Sequence, residues 1–339
     1  MLPCSSHCVG RLACYSKRRV TSAAYHAHAR TYATASQLPL VQPVERELTN
    51  STSHSDDTLS RRIHEFLSSQ FTSTSLLSGS HRLNTGRTLP HVLPYESHPN
   101  AARRADSTQP STDKIGDGLV AVVHAVQTDG GDIDYELSSG FIIEPHGLKD
   151  KQTVVTCSHT LDALSIRHPM TLIHSFILAS NMDTTPIPIT SYPSGSVSDL
   201  LICSIPRSPI LRSLPISPFP VYRGQKVQVH EYGTGGEWIQ GIKREWKEAE
   251  MMGYRNHAWR EVQPGTTSAL PYITFSSRPS NGSSGGPIVD AQSGAVVGVV
   301  SGSRTISAVK GERGYGASAE NIFELFSLPG FIPTSQKYK

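Results

Sequence analysis

The chain has 339 residues, with 31 Lys and Arg against 28 Asp and Glu, so its formal net charge at pH 7 is only +3. Hydrophobic residues make up 37% and charged residues 17% of the sequence, which is an ordinary globular balance. The basic excess is too small and too dispersed to indicate a nucleic-acid partner. No apolar run approaches the roughly 18 residues of a membrane span, so we expect none.

Residues 1–44 contain no Asp or Glu and carry scattered basic residues among Ser, Ala, Thr and Tyr. This composition is typical of a mitochondrial transit peptide, and it lacks the continuous apolar core of a secretory signal. Arg30-Thr31-Tyr32-Ala33 is similar to a matrix-processing site with cleavage after Tyr32. We therefore predict a mitochondrial protein. The alternative is a cytoplasmic or nuclear protein with a basic N-terminal segment, in which Lys17-Arg18-Arg19 is a nuclear signal.

Residues 45–114 are rich in Ser, Thr, His, Pro and Arg, and their few apolar residues mostly lack a period. Such a segment buries little apolar surface, so we predict a flexible linker. Within Thr58–Phe71, however, Leu59, Ile63, Phe66 and Leu67 recur at helical spacing. The linker thus contains a possible short amphipathic helix, and the sequence leaves open whether it docks on the domain that follows.

From Gly118 onward, short β-type runs alternate with turn residues. Many short strands separated by Gly and Pro indicate an all-β barrel or sandwich, and about 210 residues suit two small packed barrels. The predicted strands are Leu119–Val126, Leu137–Ile143, Thr153–Thr156, Met170–Leu178, Asp199–Ile205, Lys226–Tyr232, Tyr272–Ser276, Gly286–Val289 and Ala295–Ser301.

The sequence Asn281–Pro287 places Ser284 among glycines on a tight turn directly before an apolar strand. Such a turn exposes the Ser284 hydroxyl. It also aims the backbone N–H groups of Gly282 and Ser284 at one point, which is how an oxyanion hole is built. Gly and Ser also dominate ordinary loops, and Ser283 competes as the nucleophile. A catalytic interpretation therefore needs a base elsewhere.

Two upstream segments supply a base and a carboxylate. Val154–His159 is a β-branched run that ends at His159, and Asp199 stands immediately before another apolar run. A serine hydroxyl needs a neighbouring base, histidine suits that task near neutral pH, and a carboxylate fixes the imidazole tautomer. His159, Asp199 and Ser284 thus form a candidate catalytic triad. Each residue taken singly also has an ordinary structural interpretation: His159 as a turn histidine, Asp199 as a strand-end cap and Ser284 as an inert loop serine.

These segments resemble the trypsin-like (chymotrypsin-fold) serine peptidases, and within them the HtrA/DegP-like branch. The family's Gly-x-Ser-Gly-Gly-Pro is matched by Gly282–Pro287, its histidine strand by Val154–His159, and its Asp-Leu-x-Leu by Asp199–Ile202. Three weaker matches keep the family order: Ser138–Ile143, Gly294–Gly302 and Gly316–Ile322. The resemblance extends over roughly residues 118–326.

The resemblance implies an all-β fold of two antiparallel six-stranded β-barrels with a short C-terminal helix. The peptidase domain would occupy residues 115–330, followed by a tail at 331–339, without the PDZ domain usual in the HtrA branch. His159 and Asp199 would belong to the first barrel and Ser284 to the second.

The implied activity is that of a serine endopeptidase, a hydrolase that cuts polypeptide substrates through an acyl-enzyme without a cofactor or metal. The alternative is a catalytically silent peptidase-like module that binds peptides. An α/β-hydrolase esterase is excluded, because its chain order is Ser, Asp, His. The oligomeric state is left open.

Substrate preference is predicted from four residues. Arg278 lies six residues before Ser284, where trypsin carries the aspartate that recognises Lys or Arg, so a preference for basic residues is not expected. Arg278 favours acidic side chains if it points into the pocket, but a long arginine more often extends to solvent. Ser301, Gly302 and Ser303 would line the pocket wall with small groups and leave room for an apolar side chain.

Two features depart from the family pattern. Ser283 stands where secreted members carry the aspartate that couples activation to a new N-terminus, so conventional zymogen activation is not expected. Cys157 lacks the family's nearby disulfide partner, and we expect Cys157 and Cys203 to be buried reduced thiols. At the N-terminus, Cys4, His7 and Cys8 lack the spacing of a metal site.

Glu237–Gly265 is the least family-like segment and contains Trp238, Trp246 and Trp259. Within it, Lys247–Met252 has the composition of a helical turn. The segment is either a loop whose aromatic residues anchor it to the barrel, or a lid or peptide-contact surface beside the active site.

Overall fold

A computed structural model describes residues 63–68, 88–105, 117–128, 130–169, 171–179, 186–195, 198–233, 243–264, 272–307 and 311–327. All of them lie within one compact unit, Ser51–Lys339. The predictions for residues 1–44, for Cys4, His7 and Cys8, and for the tail at 331–339 concern residues outside this described part of the chain.

The described residues are dominated by β-strands. The strands are β1 Leu89–Val92, β2 Leu119–Gln127, β3 Ile133–Ile143, β4 Lys151–Cys157, β5 His174–Ala179, β6 Ile187–Pro188, β7 Ser191–Gly195, β8 Leu200–Pro206, β9 Lys226–Gly233, β10 Lys243–Arg255, β11 Glu261–Val262, β12 Tyr272–Phe275, β13 Pro287–Asp290, β14 Val296–Ser307, β15 Gly311–Ser318 and β16 Phe326–Ser327. The helices are α1 (residues 63–68), α2 His159–Arg167 and α3 Ala319–Glu324, and Ala101–Arg103 forms a 3₁₀ turn.

The first sheet is antiparallel, in the order β6-β5-β2-β3-β4-β8-β7. Its two edges are joined by the short segment that contains β6 and β7. In that segment Ile189 N–H donates to Ser175 O of β5 at 2.9 Å, and Thr190 N–H donates to Ser204 O of β8 at 2.8 Å. If β6 and β7 are taken as one bent strand, the first sheet is a barrel of six strands.

The second sheet has the order β11-β10-β12-β15-β14-β13-β9 and closes by an additional pairing of β10 with β9. The long strand β10 makes this closure possible, because residues 243–250 pair with β9 and residues 251–255 pair with β12. Six strands therefore form a closed barrel, with β11 outside it. The predicted all-β fold of the chymotrypsin type is confirmed.

The two barrels share one hydrophobic core cluster. It includes Phe141 and Val155 of the first barrel, Val289 and Val299 of the second, and Ile322 of α3, each at most 1% exposed. Burial of apolar surface at about 25 cal/mol per Å² is the main favourable term for holding such layers together. Docking of the barrels is thus part of the core and not a loose contact between separate domains.

The prediction of a helical turn at Lys247–Met252 is wrong, because these residues lie in the middle of β10. Their burial alternates: Glu248 and Glu250 are exposed, whereas Ala249 and Met251 are buried. A period of two residues is that of a strand with one face on the core. Glu248 and Glu250 therefore form the solvent face of this strand, whereas Lys247 lies on the face that carries Ala249 and Met251.

Part of the predicted linker belongs to the folded unit. In α1, Ile63, Phe66 and Leu67 are at most 8% exposed, and the Phe66 ring lies 4.3 Å from that of Phe176 in β5. The amphipathic helix therefore docks on the first barrel.

The linker prediction also does not extend to residues 88–105. Within this segment β1 pairs in parallel with β16, and Arg103 forms an ion pair with Glu96 at 2.7 Å. The strand pairing ties the segment to the C-terminal end of the described fold.

Two smaller expectations concern thiols and membrane helices. Cys157 and Cys203 are buried, free thiols, as predicted, and burial raises the pKa of the Cys203 thiol. No helix among the described residues has both the length and the apolar character needed to cross a membrane.

We expect Phe66→Ala to destabilise the fold by about 3 kcal/mol, because it removes a buried aromatic ring and leaves a cavity against Phe176. Chemical denaturation of the purified protein measures this. The control is His64→Ala on the exposed face of the same helix, which should change the free energy of unfolding by less than about 0.5 kcal/mol. Equal effects of the two changes would contradict the docked position of α1.

Candidate active site

The register of β4 and β8 brings His159 and Asp199 together. Cys157, the last residue of β4, pairs with Leu200, the first residue of β8. His159 follows β4 as the first residue of α2, and Asp199 directly precedes β8. The His159 Nδ1 and Asp199 Oδ2 atoms are 2.8 Å apart. The structure thus joins two of the three predicted triad residues through a short hydrogen bond.

The carboxylate of Asp199 is fixed by more than the imidazole. Its other oxygen, Oδ1, accepts hydrogen bonds from Ser158 Oγ at 3.0 Å, from Ser158 N–H at 3.2 Å and from His159 N–H at 3.0 Å. Asp199 also has φ 64°, in the left-handed region that few side chains other than Asn and Asp enter readily. The backbone and four hydrogen bonds therefore hold the carboxylate in one orientation.

The electrostatics of the pair favour the protonated imidazole. Burial of the ring lowers the pKa of His159, but the hydrogen bond to Asp199 and the interactions with Cys157, together with the charge of the Asp199 carboxylate, outweigh burial and raise the pKa above its usual range. In its neutral form, an imidazole whose Nδ1–H is fixed by Asp199 presents Nε2 as the atom that accepts a proton, and the carboxylate stabilises the imidazolium that forms.

The turn that carries Ser284 is packed against the strand ends that lead to His159. Gly285 has φ 82°, and a Cβ there would lie 2.3 Å from both Ser139 O and Thr156 Oγ1. Only glycine fits at this position, for conformational and steric reasons. Ser139 N–H also donates to Ser284 O at 2.8 Å. These contacts bring the Ser284 turn of the second barrel against Ser139 of β3 and Thr156 of β4 in the first.

The Ser284 hydroxyl itself points to a carbonyl. Its Oγ donates to Ser301 O at 3.5 Å, and in the described part of the chain no hydrogen bond links it to His159. Catalytic hydrogen bonds in free enzymes are often long and tighten only when substrate binds. Of the three predicted triad residues, His159 and Asp199 are therefore joined by a hydrogen bond, while the Ser284 hydroxyl bonds to Ser301 O.

The predicted oxyanion donors lie on the same turn. Gly282 has φ 90°, and its carbonyl accepts from Ser139 Oγ at 2.8 Å, while the same Oγ accepts from Tyr232 N–H at 2.8 Å. Within the described ranges, the backbone N–H groups of Gly282 and Ser284 donate to no protein acceptor. Both amides are thus available to an oxygen atom of a bound molecule.

Arg278 does not carry a free charge into a pocket. Its side chain is 71% exposed, and its Nε lies 3.0 Å from Glu312 Oε2. Ser303 Oγ donates to the other carboxylate oxygen of Glu312. Ser301 is buried beside Ser284, whereas Ser303 is exposed. Ser301, Gly302 and Ser303 thus lie on β14, whereas Arg278 lies in the loop that follows β12 and turns to solvent.

An aromatic cluster beside β14 was not predicted as a unit. Trp259 stacks on Tyr272 with ring centroids 5.3 Å apart, Tyr315 packs edge-on against Trp259 at 5.1 Å, and Arg304 lies 4.2 Å above the Trp259 ring. The Tyr315 ring also lies 3.6 Å from the position that a Cβ on Gly302 would take. The rings come from three distant segments, so no sequence spacing links them.

Trp259 has φ 59° and lies in the loop between β10 and β11. Its stacking holds that loop on the barrel, which fits the anchoring interpretation of Glu237–Gly265. Trp238 lies outside the described residues. No group of three or more His, Cys, Asp or Glu able to hold a metal ion occurs in the part of the chain that the structure describes.

We expect Asp199→Asn to lower the pKa of His159 towards the ordinary value of about 6.5, because it removes the charge that stabilises the imidazolium. NMR titration of the imidazole measures this shift. Asp134→Asn is a matched control, since Asp134 pairs with a different histidine, His168, at 2.7 Å. A His159 titration curve that is unchanged in Asp199→Asn would contradict the pairing.

Residues 138–299 match the model of the trypsin-like peptidase domain family. The Rv3671c protease from M. tuberculosis in its active form is 20% identical at a TM-score of 0.45, covering 73% of this chain and 91% of that one. An inactive form of Rv3671c protease is 20% identical at a TM-score of 0.39, covering 60% and 85%. No curated protein matches. Residues 138–299 thus match a trypsin-like peptidase domain, and the two-barrel fold around them agrees with that match.

Proposed function

We propose that the chain is a serine endopeptidase that hydrolyses peptide bonds through His159, Asp199 and Ser284. The observation that carries the proposal is the 2.8 Å pair of His159 and Asp199 beside a turn whose Gly282 and Ser284 amides donate to no described protein acceptor. A base with its orienting carboxylate, a hydroxyl and two convergent amides are the parts that acyl transfer requires.

The proposed reaction begins when the Ser284 hydroxyl leaves Ser301 O and turns to His159 Nε2. Ser284 Oγ attacks the peptide carbonyl carbon while His159 takes its proton, and Asp199 stabilises the imidazolium through Nδ1. The N–H groups of Gly282 and Ser284 stabilise the negative carbonyl oxygen. His159 then protonates the leaving amine, and water hydrolyses the acyl-enzyme by the same steps.

The strand β14 supports a polypeptide substrate. Its pairing with β13 ends at Val299, and Val300 bonds to Gly286 and Gly285, so in the described chain Ser301–Ser303 is paired only on the β15 side. An unpaired strand edge binds an extended peptide by backbone hydrogen bonds. Because Arg278 is paired with Glu312, the pocket favours an apolar side chain over an acidic one.

The second candidate function is a catalytically silent module that binds peptides in the same cleft. The observation that favours it is the hydrogen bond of Ser284 Oγ to Ser301 O in place of one to His159. If this orientation persists with substrate bound, the hydroxyl is not activated.

Labelling by a fluorophosphonate probe separates the two candidates, because the probe reacts only with an activated serine. We expect labelling at Ser284, located by mass spectrometry of the modified peptide, and its loss in Ser284→Ala and His159→Ala. Peptide turnover in these variants should fall by several powers of ten, as when such triads are dismantled. Ser217→Ala, in a loop away from the turn, should label as the wild type. Labelling at Ser283 would show that the nucleophile is misassigned.

We further propose a mitochondrial location, supported by the acid-free basic composition of residues 1–44. A fusion of this segment to a fluorescent protein should accumulate in mitochondria, and the mature chain should begin at Ala33. Replacing Arg18 and Arg19 by Gln should weaken import. Nuclear accumulation of the unchanged fusion would instead support the alternative signal at Lys17–Arg19.

A further inference from the structure

The turn that presents the oxyanion donors starts at Ser280. Ser283 N–H and Ser283 Oγ both donate to Ser280 O, at 3.2 and 2.6 Å. Ser283 is 1% exposed and lies between Gly282 and Ser284, whose amides form the proposed oxyanion hole. The position of Ser280 therefore determines where both amides point.

Ser280 is held in turn by a buried carboxylate of the second barrel. Its N–H donates to Glu231 Oε2 at 3.0 Å. Glu231 lies near the end of β9 and is 2% exposed. Lys247 of β10 contacts Glu231 Oε1 at 2.5 Å, and the same ammonium group donates to Ser280 Oγ. Ser280, the first residue of the turn, is therefore held by two hydrogen bonds: its N–H donates to the Glu231 carboxylate, and its Oγ accepts from the Lys247 ammonium group.

The burial of Glu231 makes this arrangement energetically demanding. A carboxylate removed from water loses its hydration, and the loss is compensated only by a partner charge and hydrogen bonds. Lys247 supplies the charge, and Ser280 N–H supplies the other bond. Displacing the turn would leave part of a buried charge unsatisfied, so the ion pair resists such displacement.

The Glu231–Lys247 ion pair also bears on the serine at position 283, where the family pattern has an aspartate. That position holds a serine where secreted trypsin-like peptidases carry the aspartate that fastens this turn to a new N-terminus, and among the described residues its hydroxyl donates to Ser280 O. In this chain the negative charge that holds the turn is the Glu231 carboxylate of β9, and the positive charge that balances it is the Lys247 ammonium group of β10. Neither depends on a chain end produced by cleavage.

We propose that Glu231 and Lys247 are positioning residues that hold the oxyanion turn in its competent conformation without proteolytic activation. The proposal rests on the proposed endopeptidase function for its catalytic consequence. Its structural part, the fastening of residues 280–286, is measurable in the protein whether or not it cleaves peptides.

The test uses Glu231→Gln, which keeps the shape and a hydrogen-bond acceptor for Ser280 but removes the charge. Lys247→Arg keeps the charge and serves as the conservative variant. The matched control is the pair Lys226→Met and Glu250→Gln, because Lys226 and Glu250 form an exposed 2.8 Å ion pair across the same two strands. If Glu231→Gln fails to fold, the double variant Glu231→Gln with Lys247→Met replaces it, since it removes both charges together.

The first readout is amide hydrogen exchange of the peptide 277–286, with β14 as the internal reference. We expect exchange of the turn to accelerate at least about tenfold in Glu231→Gln, while β14 and the control variant stay unchanged. Lys247→Arg, which keeps the charge, should retain most of the protection that the wild type shows. Turn exchange equal to the wild type, or equal acceleration throughout the barrel, would overturn the proposal.

The second readout is kinetic. With the best peptide substrate, kcat should fall about tenfold to a hundredfold in Glu231→Gln while KM changes less than about threefold, because the lost interaction acts mainly in the transition state. A rise in KM with unchanged kcat would overturn the positioning role. If the wild type reacts with neither substrate nor fluorophosphonate, the proposed function fails, and hydrogen exchange still decides the structural part.

Discussion

The candidate site depends on one close approach between the two barrels. The turn that carries Ser284 lies against Ser139 of β3 and Thr156 of β4 in the opposite barrel. At Gly285 a side chain would lie within 2.3 Å of Ser139 O and Thr156 Oγ1, so the backbone of one barrel is in contact with that of the other. Ser139 reinforces this contact with two hydrogen bonds, from its N–H to Ser284 O and from its Oγ to Gly282 O. A hydroxyl, an imidazole and a carboxylate from two barrels can cooperate only if this contact is kept.

Charged groups are used in two different ways around that contact. Asp199 is paired with the half-exposed imidazole of His159, and this pairing raises the basicity of the ring. Glu231 is almost fully buried and paired with Lys247, and the consequence is a fixed backbone at Ser280. In the proposed function the first pair serves proton transfer, and the second fixes the geometry of the turn. Both place a carboxylate where hydrogen bonds compensate for the loss of water.

Much of the fold was predictable because the β-type runs are local. The runs from Leu119 and from Lys226 match β2 and β9 at their first residues, since alternating or continuous apolar patterns and Gly or Pro turns are encoded within a few residues. The prediction failed at β10, whose charged face belongs to a strand paired on both sides. It also missed β1 and left open whether α1 docks, because their partners β16 and Phe176 lie more than 100 residues away in the chain.

The sequence by itself determined the order His159, Asp199, Ser284, the glycines around the serine, and the all-β character, because each is a property of a short segment. Only the tertiary structure decided that Arg278 turns to Glu312, that Ser284 Oγ bonds to Ser301 O, and that Glu231 and Lys247 meet at Ser280. These contacts depend on strand register and barrel closure. Side-chain direction at long range follows from how strands pair, and no local pattern encodes it.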